Sequence, residues 1–152
     1  LKFFLYPVLL LLSFISFAQL TGKVVAIADG DTFTMLVNKQ QIKIRLHGID
    51  CPEKGQDFSQ VAKDFLSDYV FDKVVTVSTK SKDRYRRTIG IVTVDGKNVN
   101  EKLLEAGLAW HFKKYDKNPA WAKLEEVARK NKRGLWVNGN PVPPWEWRKR
   151  KR

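Results

Sequence analysis

Three short segments of the chain gather the side chains that phosphate-ester chemistry needs. They are Asp29-Gly30-Asp31-Thr32, Arg45-Leu46-His47-Gly48-Ile49-Asp50-Cys51-Pro52-Glu53, and Asp83-Arg84-Tyr85-Arg86-Arg87. Hydrolysis of a phosphodiester needs a hard cation on carboxylate oxygens to polarise the phosphate. It also needs a base to prepare a water, and guanidinium groups to neutralise the charge that builds on the transition state. The first two segments offer the carboxylates, and the second and third offer the arginines.

Each of these residues also has a plainer reading. Asp29 and Asp31 suit a turn, where Asp is favoured on its own account. The second segment tips Asp31 toward the site and leaves Asp29 a turn former. Glu53 would complement a helix dipole, Asp50 would cap the turn before Pro52, and Arg45 would sit exposed on a strand. Lys80, Lys82, Arg84, Arg86 and Arg87 read first as a solvated charge run. Tyr85 inside that run favours a nucleic-acid face, because an aromatic ring stacks on a base while cations hold phosphates. His47 and His111 are expected at the surface or in a groove rather than as ligands, since a carboxylate-rich site suits a hard cation and not zinc. Trp121, Trp136, Trp145 and Trp147 are expected in core or tail packing.

The three segments, in this order and spacing, closely resemble the staphylococcal nuclease (thermonuclease) family, and the similarity runs from about Thr21 to Trp136. The resemblance implies a five-stranded oligonucleotide-binding (OB-type) β-barrel with three helices. It implies cleavage of DNA and RNA, with calcium as cofactor and 3′-phosphate products. Asp31 and Asp50 fall on the family's calcium-binding carboxylates, and the backbone carbonyl of Cys51 on a third ligand position. Glu53 falls on the general base. Arg45 and Arg87 fall on the arginines that hold the phosphate, Arg87 nearer the leaving oxygen. Arg84 and Tyr85 fall on nucleotide-contacting positions, and Lys82 and Tyr115 join them as candidate substrate contacts. Two departures stand out. Cys51 replaces a threonine, which exposes a thiol to oxidation near a metal. Arg86 replaces a glycine, and if that position needs a positive φ, Arg86 strains the loop that places Arg87.

The elements that must hold these residues are legible from hydrophobic period. Thr21 to Ala28 and Thr32 to Val37 read as a hairpin around Asp29-Gly30. Ile42, Ile44 and Leu46 alternate with Lys43, Arg45 and His47, so Arg45 lies on the polar face of a third strand. Phe58, Val61, Ala62, Phe65, Leu66, Tyr69 and Val70 recur at three and four and mark an amphipathic helix. Val74 to Val77 and Ile89 to Val94 give two more strands. Asn98 with Glu101 forms a capping box for a short helix that Gly107 ends. Trp121, Leu124, Val127 and Ala128 mark a last helix closed by Gly134. Five strands, with helices after the third and the fifth, give an α+β class.

Composition bounds the rest. The chain has 152 residues, enough for one domain with its own core. Its 28 Lys and Arg against 16 acidic residues give a net charge of +12, which implies a polyanionic partner. DNA and RNA come first, with single strands preferred, and the expected state is a monomer. Residues 1–18 read as a signal peptide, too short for the roughly 20 residues of a spanning helix. This makes the product secreted or periplasmic, without stable membrane association after cleavage. Cys51 is the single cysteine, so no intrachain disulfide forms. Residues 19–140 form the nuclease domain, and residues 141–152 a Pro/Trp-containing basic tail. That tail is expected to run extended at Pro141 to Pro144 and to end disordered at Arg148 to Arg152. The alternative function is a catalytically inactive OB-fold nucleic-acid-binding module. A basic polysaccharide-binding protein would leave the acidic trio unexplained.

Overall fold

The computed structural model describes residues 18–150. The signal segment, apart from Ala18, lies outside the described residues. Five long strands carry the fold: β1 (Gln19–Asp29), β2 (Thr32–Val37), β3 (Gln40–Leu46), β5 (Val74–Lys82) and β6 (Thr88–Val94). Short pairs β4 (Ile49–Asp50), β7 (Lys97–Asn98) and β8 (Trp110–His111) brace its ends. The strands order β3-β2-β1-β5-β6 by antiparallel pairing, and a parallel β3–β6 pairing closes them into a barrel. Closure abolishes the open sheet edges. Its register sets Ile44 against Thr88, Arg45 against Ile89 and Leu46 against Gly90.

The alternation read from the sequence explains the core. Val24, Phe33, Met35, Ile44, Leu46, Val75, Val77, Val92 and Val94 all point inward and are buried. Against them pack α1 (Ser59–Val70), through Ala62, Leu66 and Val70, and α2 (Val99–Glu105), through Leu103 and Leu104. The Asn98 side chain caps α2 by accepting from the Glu101 backbone N–H, while the Glu101 carboxylate accepts from Trp121 Nε1 at 3.0 Å. Helix α3 (Pro119–Lys130) starts at an Asn118 cap and buries Trp121, Glu125 and Ala128. It ends before Gly134, because Lys132 already turns left-handed at φ 51°.

Two differences from the sequence reading concern the end of the chain. A fourth helix, α4 (Pro144–Arg150), stands where a disordered basic end was expected, and Pro141 to Pro143 lead into it without regular structure. Pro144 does not oppose it, because a proline in the first turn has no intrahelical N–H bond to lose. What makes so short a helix worth forming is tertiary packing. Trp145 stacks on Phe112, with ring centroids 5.0 Å apart and planes 7° from parallel, and meets Trp110 edge-on at 6.4 Å. Among the described residues there are therefore four α-helices, one more than the resemblance implies.

Candidate active site

The turn between β1 and β2 holds Asp31. Its backbone N–H donates to the Asp29 carboxylate at 3.1 Å, so Asp29 is the turn former it was read as. Gly30 is required there by space. A Cβ at that position would lie 2.8 Å from the Ala62 Cβ of α1 and 2.9 Å from the Cys51 Cβ. Asp50 is fixed differently. It sits in β4, opposite Trp110 of β8, after a turn in which Gly48 adopts φ +68°. Any side chain at Gly48 would also run into Asp116, 2.7 Å away.

Arg45 joins the two acids. From the outer face of β3 its Nη1 lies 3.2 Å from Asp31 Oδ2, and its Nη2 lies 2.8 Å from Asp50 Oδ1. Nη1 also donates to the carbonyls of Leu46 and Ile49 at 2.9 and 3.0 Å. This planar fork spanning two carboxylates is geometry that a lysine lacks. Asp31 and Asp50 are only 5% and 1% exposed. Burial pushes the Asp31 carboxyl up to about 8, with Asp29 and Asp50 adding to the rise while Arg45 opposes it. Burial likewise works against the Arg45 charge, but Asp31 and Asp50 outweigh it and hold the guanidinium above its usual value.

Two buried acidic side chains thus share the Arg45 guanidinium, and all the acidic donors are hard oxygens. That donor chemistry fits a small divalent cation. Among the described residues no three His, Cys, Asp or Glu side chains gather as a ligand cluster. A cation at Asp31 and Asp50 would therefore complete its shell with backbone oxygens and water, as calcium and magnesium commonly do.

Cys51 is buried beside Asp31. Its N–H donates to Asp31 Oδ2 at 2.7 Å, and its thiol lies 3.3 Å from the Gly30 carbonyl. Burial, then Asp31, push the thiol well above its ordinary pKa. A buried, protonated thiol is a poor nucleophile, which removes the oxidation liability read from the sequence. Glu53 lies on the loop leading to α1, where its N–H donates to Gln56 Oε1 at 2.8 Å.

The third segment forms the β5–β6 turn, organised by Asp83. Its Oδ1 accepts from the backbone N–H of Tyr85 and of Arg87, and its Oδ2 accepts from Arg87 Nε at 2.8 Å. Burial would raise the Asp83 carboxyl, but the Arg87 hydrogen bonds outweigh it and hold it below the usual range. Arg86 adopts φ 63°, so it does occupy a conformation that favours glycine. Arg87 precedes Thr88, whose pairing with Ile44 brings β6 against the strand of Arg45, while the Arg87 guanidinium is paired with Asp83. Tyr85 is 65% exposed, with the Arg84 and Arg87 guanidinium carbons 4.9 and 5.6 Å from its ring centroid. Lys82 is exposed at the end of β5, opposite Thr88. Tyr115 is exposed and sits edge-on to Phe112 at 4.9 Å.

His111 is not a surface residue; it is 3% exposed. Its Nε2 lies 2.8 Å from one Asp116 oxygen, and His47 Nε2 lies 3.2 Å from the other. Asp116 thereby ties the β3–β4 turn to β8, a role no local pattern announces. The structure also adds a residue to the site that was read as disordered tail. From α4, Arg148 Nη2 lies 2.8 Å from Asp50 Oδ2, and its Nη1 lies 2.5 Å from Glu53 Oε1. Burial opposes this charge, and the Asp50 and Glu53 carboxylates outweigh it. Nothing distinguishes Arg148 in sequence from the basic residues that flank it.

Comparison with known proteins shows the family. A family model described as staphylococcal nuclease homologue matches residues 43–138. An Escherichia coli O157:H7 protein described as an uncharacterized endonuclease is 42% identical over 135 residues, spanning 88% of each chain. A Shigella flexneri protein described as micrococcal nuclease is 39% identical over 154 residues, covering 93% of this chain and 88% of its own. An Arabidopsis thaliana protein described as a staphylococcal-like nuclease is 44% identical over 113 residues, which cover 74% of this chain and 35% of its own. With the barrel, the paired carboxylates and this family match together, the chain is a nuclease belonging to the staphylococcal nuclease family.

Proposed function

We propose that this nuclease is a calcium-dependent phosphodiesterase that hydrolyses DNA and RNA to 3′-phosphate products. The observation that carries the reading is the Arg45 fork between two buried carboxylates, Asp31 and Asp50. Asp31, Asp50 and the Cys51 carbonyl would hold the cation. When bound, calcium supplies Lewis-acid polarisation of the phosphate and offsets the charge of the buried acids. Glu53 takes a proton from the attacking water, and a new bond forms between that water oxygen and phosphorus. Arg45 and Arg87 hold the phosphate oxygens, Arg87 on the leaving side. The bond from phosphorus to the 5′-oxygen then breaks, and that oxygen takes a proton from solvent, leaving a 3′-phosphate and a 5′-hydroxyl. Lys82, Arg84, Tyr85 and Tyr115 contact the nucleotides on either side. The exposed ring of Tyr85 with cations around it supports a single-stranded substrate, since an unpaired base offers its face for stacking.

Digestion of plasmid DNA and of RNA with calcium, with magnesium and with chelator tests this reading. Cutting with calcium, its loss in chelator, and 3′-phosphate ends are expected. A further test is Glu53→Gln, which should lower turnover roughly 10²–10⁴-fold while calcium affinity holds. Absence of cutting under every condition would favour a nucleic-acid-binding module. We further propose that residues 1–18 direct export and are removed, giving a monomeric secreted or periplasmic enzyme made of residues 19–140 and a basic tail. No helix among the described residues is long and apolar enough to cross a membrane. N-terminal sequencing of exported protein should begin near Gln19, and an intact chain in the membrane fraction would refute cleavage.

A further inference from the structure

The C-terminal tail is fastened over the candidate active site at three points. The Trp145 ring stacks on Phe112 and meets Trp110, which pairs with Asp50 across the β4–β8 ladder. Gln56 donates from Nε2 to the Val142 carbonyl at 2.9 Å, while its Oε1 accepts from the Glu53 N–H. One side-chain amide thus holds tail and catalytic loop together. The third point is Arg148 itself, which spans Asp50 and Glu53.

Charge gives the contact its meaning. Three acidic side chains, Asp31, Asp50 and Glu53, face two guanidinium groups, Arg45 and Arg148. Arg87 is paired with Asp83 and does not enter the balance. Arg45 Nη2 and Arg148 Nη2 each take one Asp50 oxygen at 2.8 Å, and Arg148 Nη1 comes within 3.3 Å of the first. Both Asp50 oxygens are therefore engaged. A divalent cation at Asp50 would meet a guanidinium already there, and the two positive charges repel at contact distance.

We propose that Arg148 is a positioning residue of the active site, a displaceable countercharge that competes with the cation for Asp50 and holds the Glu53 carboxylate in place for the reaction. The inference rests on the reading of Asp50 as a cation ligand and Glu53 as the base. Arg148 and the cation are alternative partners of Asp50. A contact made only in the cation-free state lowers cation affinity by its own free energy. Once Arg148 releases Asp50, the Glu53 oxygen 2.5 Å from Nη1 is its remaining carboxylate partner. The two functions carry opposite signs, which makes the role distinguishable from simple support of the tail.

The experiment is calcium titration by calorimetry on the full exported chain without nucleotide, beside turnover at saturating calcium, for the parent, Arg148→Gln, Arg148→Lys and Asp50→Asn. Circular dichroism confirms folding. Arg148→Gln should bind calcium about 3- to 10-fold more tightly, the scale of a half-buried charged hydrogen bond. Its turnover should fall about 10-fold through a misplaced base. Arg148→Lys should recover part of that turnover, because an ammonium still reaches Glu53 but cannot span both acids. Unchanged or weaker calcium binding in folded Arg148→Gln overturns the competition, and unchanged turnover overturns the positioning of Glu53. Weakening of both would mean that the tail only supports the fold. Asp50→Asn should lose calcium binding. If it binds calcium as the parent does, the assignment of the cation site fails, independently of Arg148.

Discussion

The substitution Asp31→Asn should stabilise the cation-free protein while abolishing its response to calcium. Asp31 is 5% exposed, and burial pushes its carboxyl from 3.8 up to about 8. A carboxyl whose folded pKa lies above its unfolded value binds its proton more tightly in the fold. It therefore destabilises the fold progressively as pH rises from about 4 to about 8. Each pKa unit corresponds to about 1.4 kcal/mol, so at pH 7 the ceiling of this penalty is about 4 kcal/mol. Asparagine removes the penalty and keeps one oxygen to accept the Cys51 N–H, but gives up the Arg45 contact at 3.2 Å. Arg45 retains Asp50, so no guanidinium is left buried without a carboxylate. The net gain we expect is about 1–2 kcal/mol, and for a chain of this size that raises Tm by roughly 2–8 °C in chelator at pH 7. At pH 4 the penalty should shrink to below about 1 kcal/mol, because the folded carboxyl is protonated and the unfolded one, at its usual 3.8, is only partly ionised. Added calcium should raise the Tm of the parent with the logarithm of its free concentration above Kd, and leave the Asn variant where it was. Thermal melts at pH 4, 7 and 8, with and without calcium, provide the test. A lower Tm for Asp31→Asn in chelator at pH 7 would refute the reasoning, since the ionised carboxylate would then be a net support of the fold.

Arg86→Gly should raise stability by about 0.5–1 kcal/mol without loss of activity. Arg86 is exposed at φ 63°, and glycine relieves the left-handed strain at some entropic cost; a lower Tm would contradict this. Arg45→Lys should lose roughly 10-fold or more in kcat/KM, because one ammonium cannot bridge Asp31 and Asp50; parent-like kinetics would show that the fork is dispensable. Affinity for single-stranded DNA should fall by about 0.7 log units per log unit of salt for each phosphate contacted, and Arg84→Ala should make that slope shallower; a salt-independent affinity would refute the electrostatic account. Gly48→Ala should destabilise the fold by about 1–2 kcal/mol, since φ +68° strains the backbone and the new methyl meets Asp116; an unchanged denaturation midpoint would refute the steric reading.

What the sequence determined by itself were the properties that local period and local spacing encode. Alternation of Ile42, Ile44 and Leu46 with polar neighbours fixed which face of β3 carries Arg45. Recurrence at three and four fixed α1, and Asn98 with Glu101 fixed the start of α2. The runs from Asp29 to Thr32 and from Arg45 to Glu53 put Asp31, Arg45, Asp50 and Glu53 forward as candidates from their residue types and spacing. The glycine-favouring backbone at Arg86 was legible from the family pattern alone. Only the tertiary structure decided which distant groups meet. Asp116 clamps His47 and His111, and Gln56 ties Glu53 to Val142, across separations along the chain that no period records. Helix α4 is the clearest case. Its residues have no strong intrinsic reason to be helical or to differ from a solvated basic end, and a seven-residue helix cannot persist unsupported. Trp145 against Phe112 supplies the packing. The paired acids at Asp50 and Glu53 supply the charge that selects Arg148 from among its basic neighbours, and both exist only once the barrel has closed.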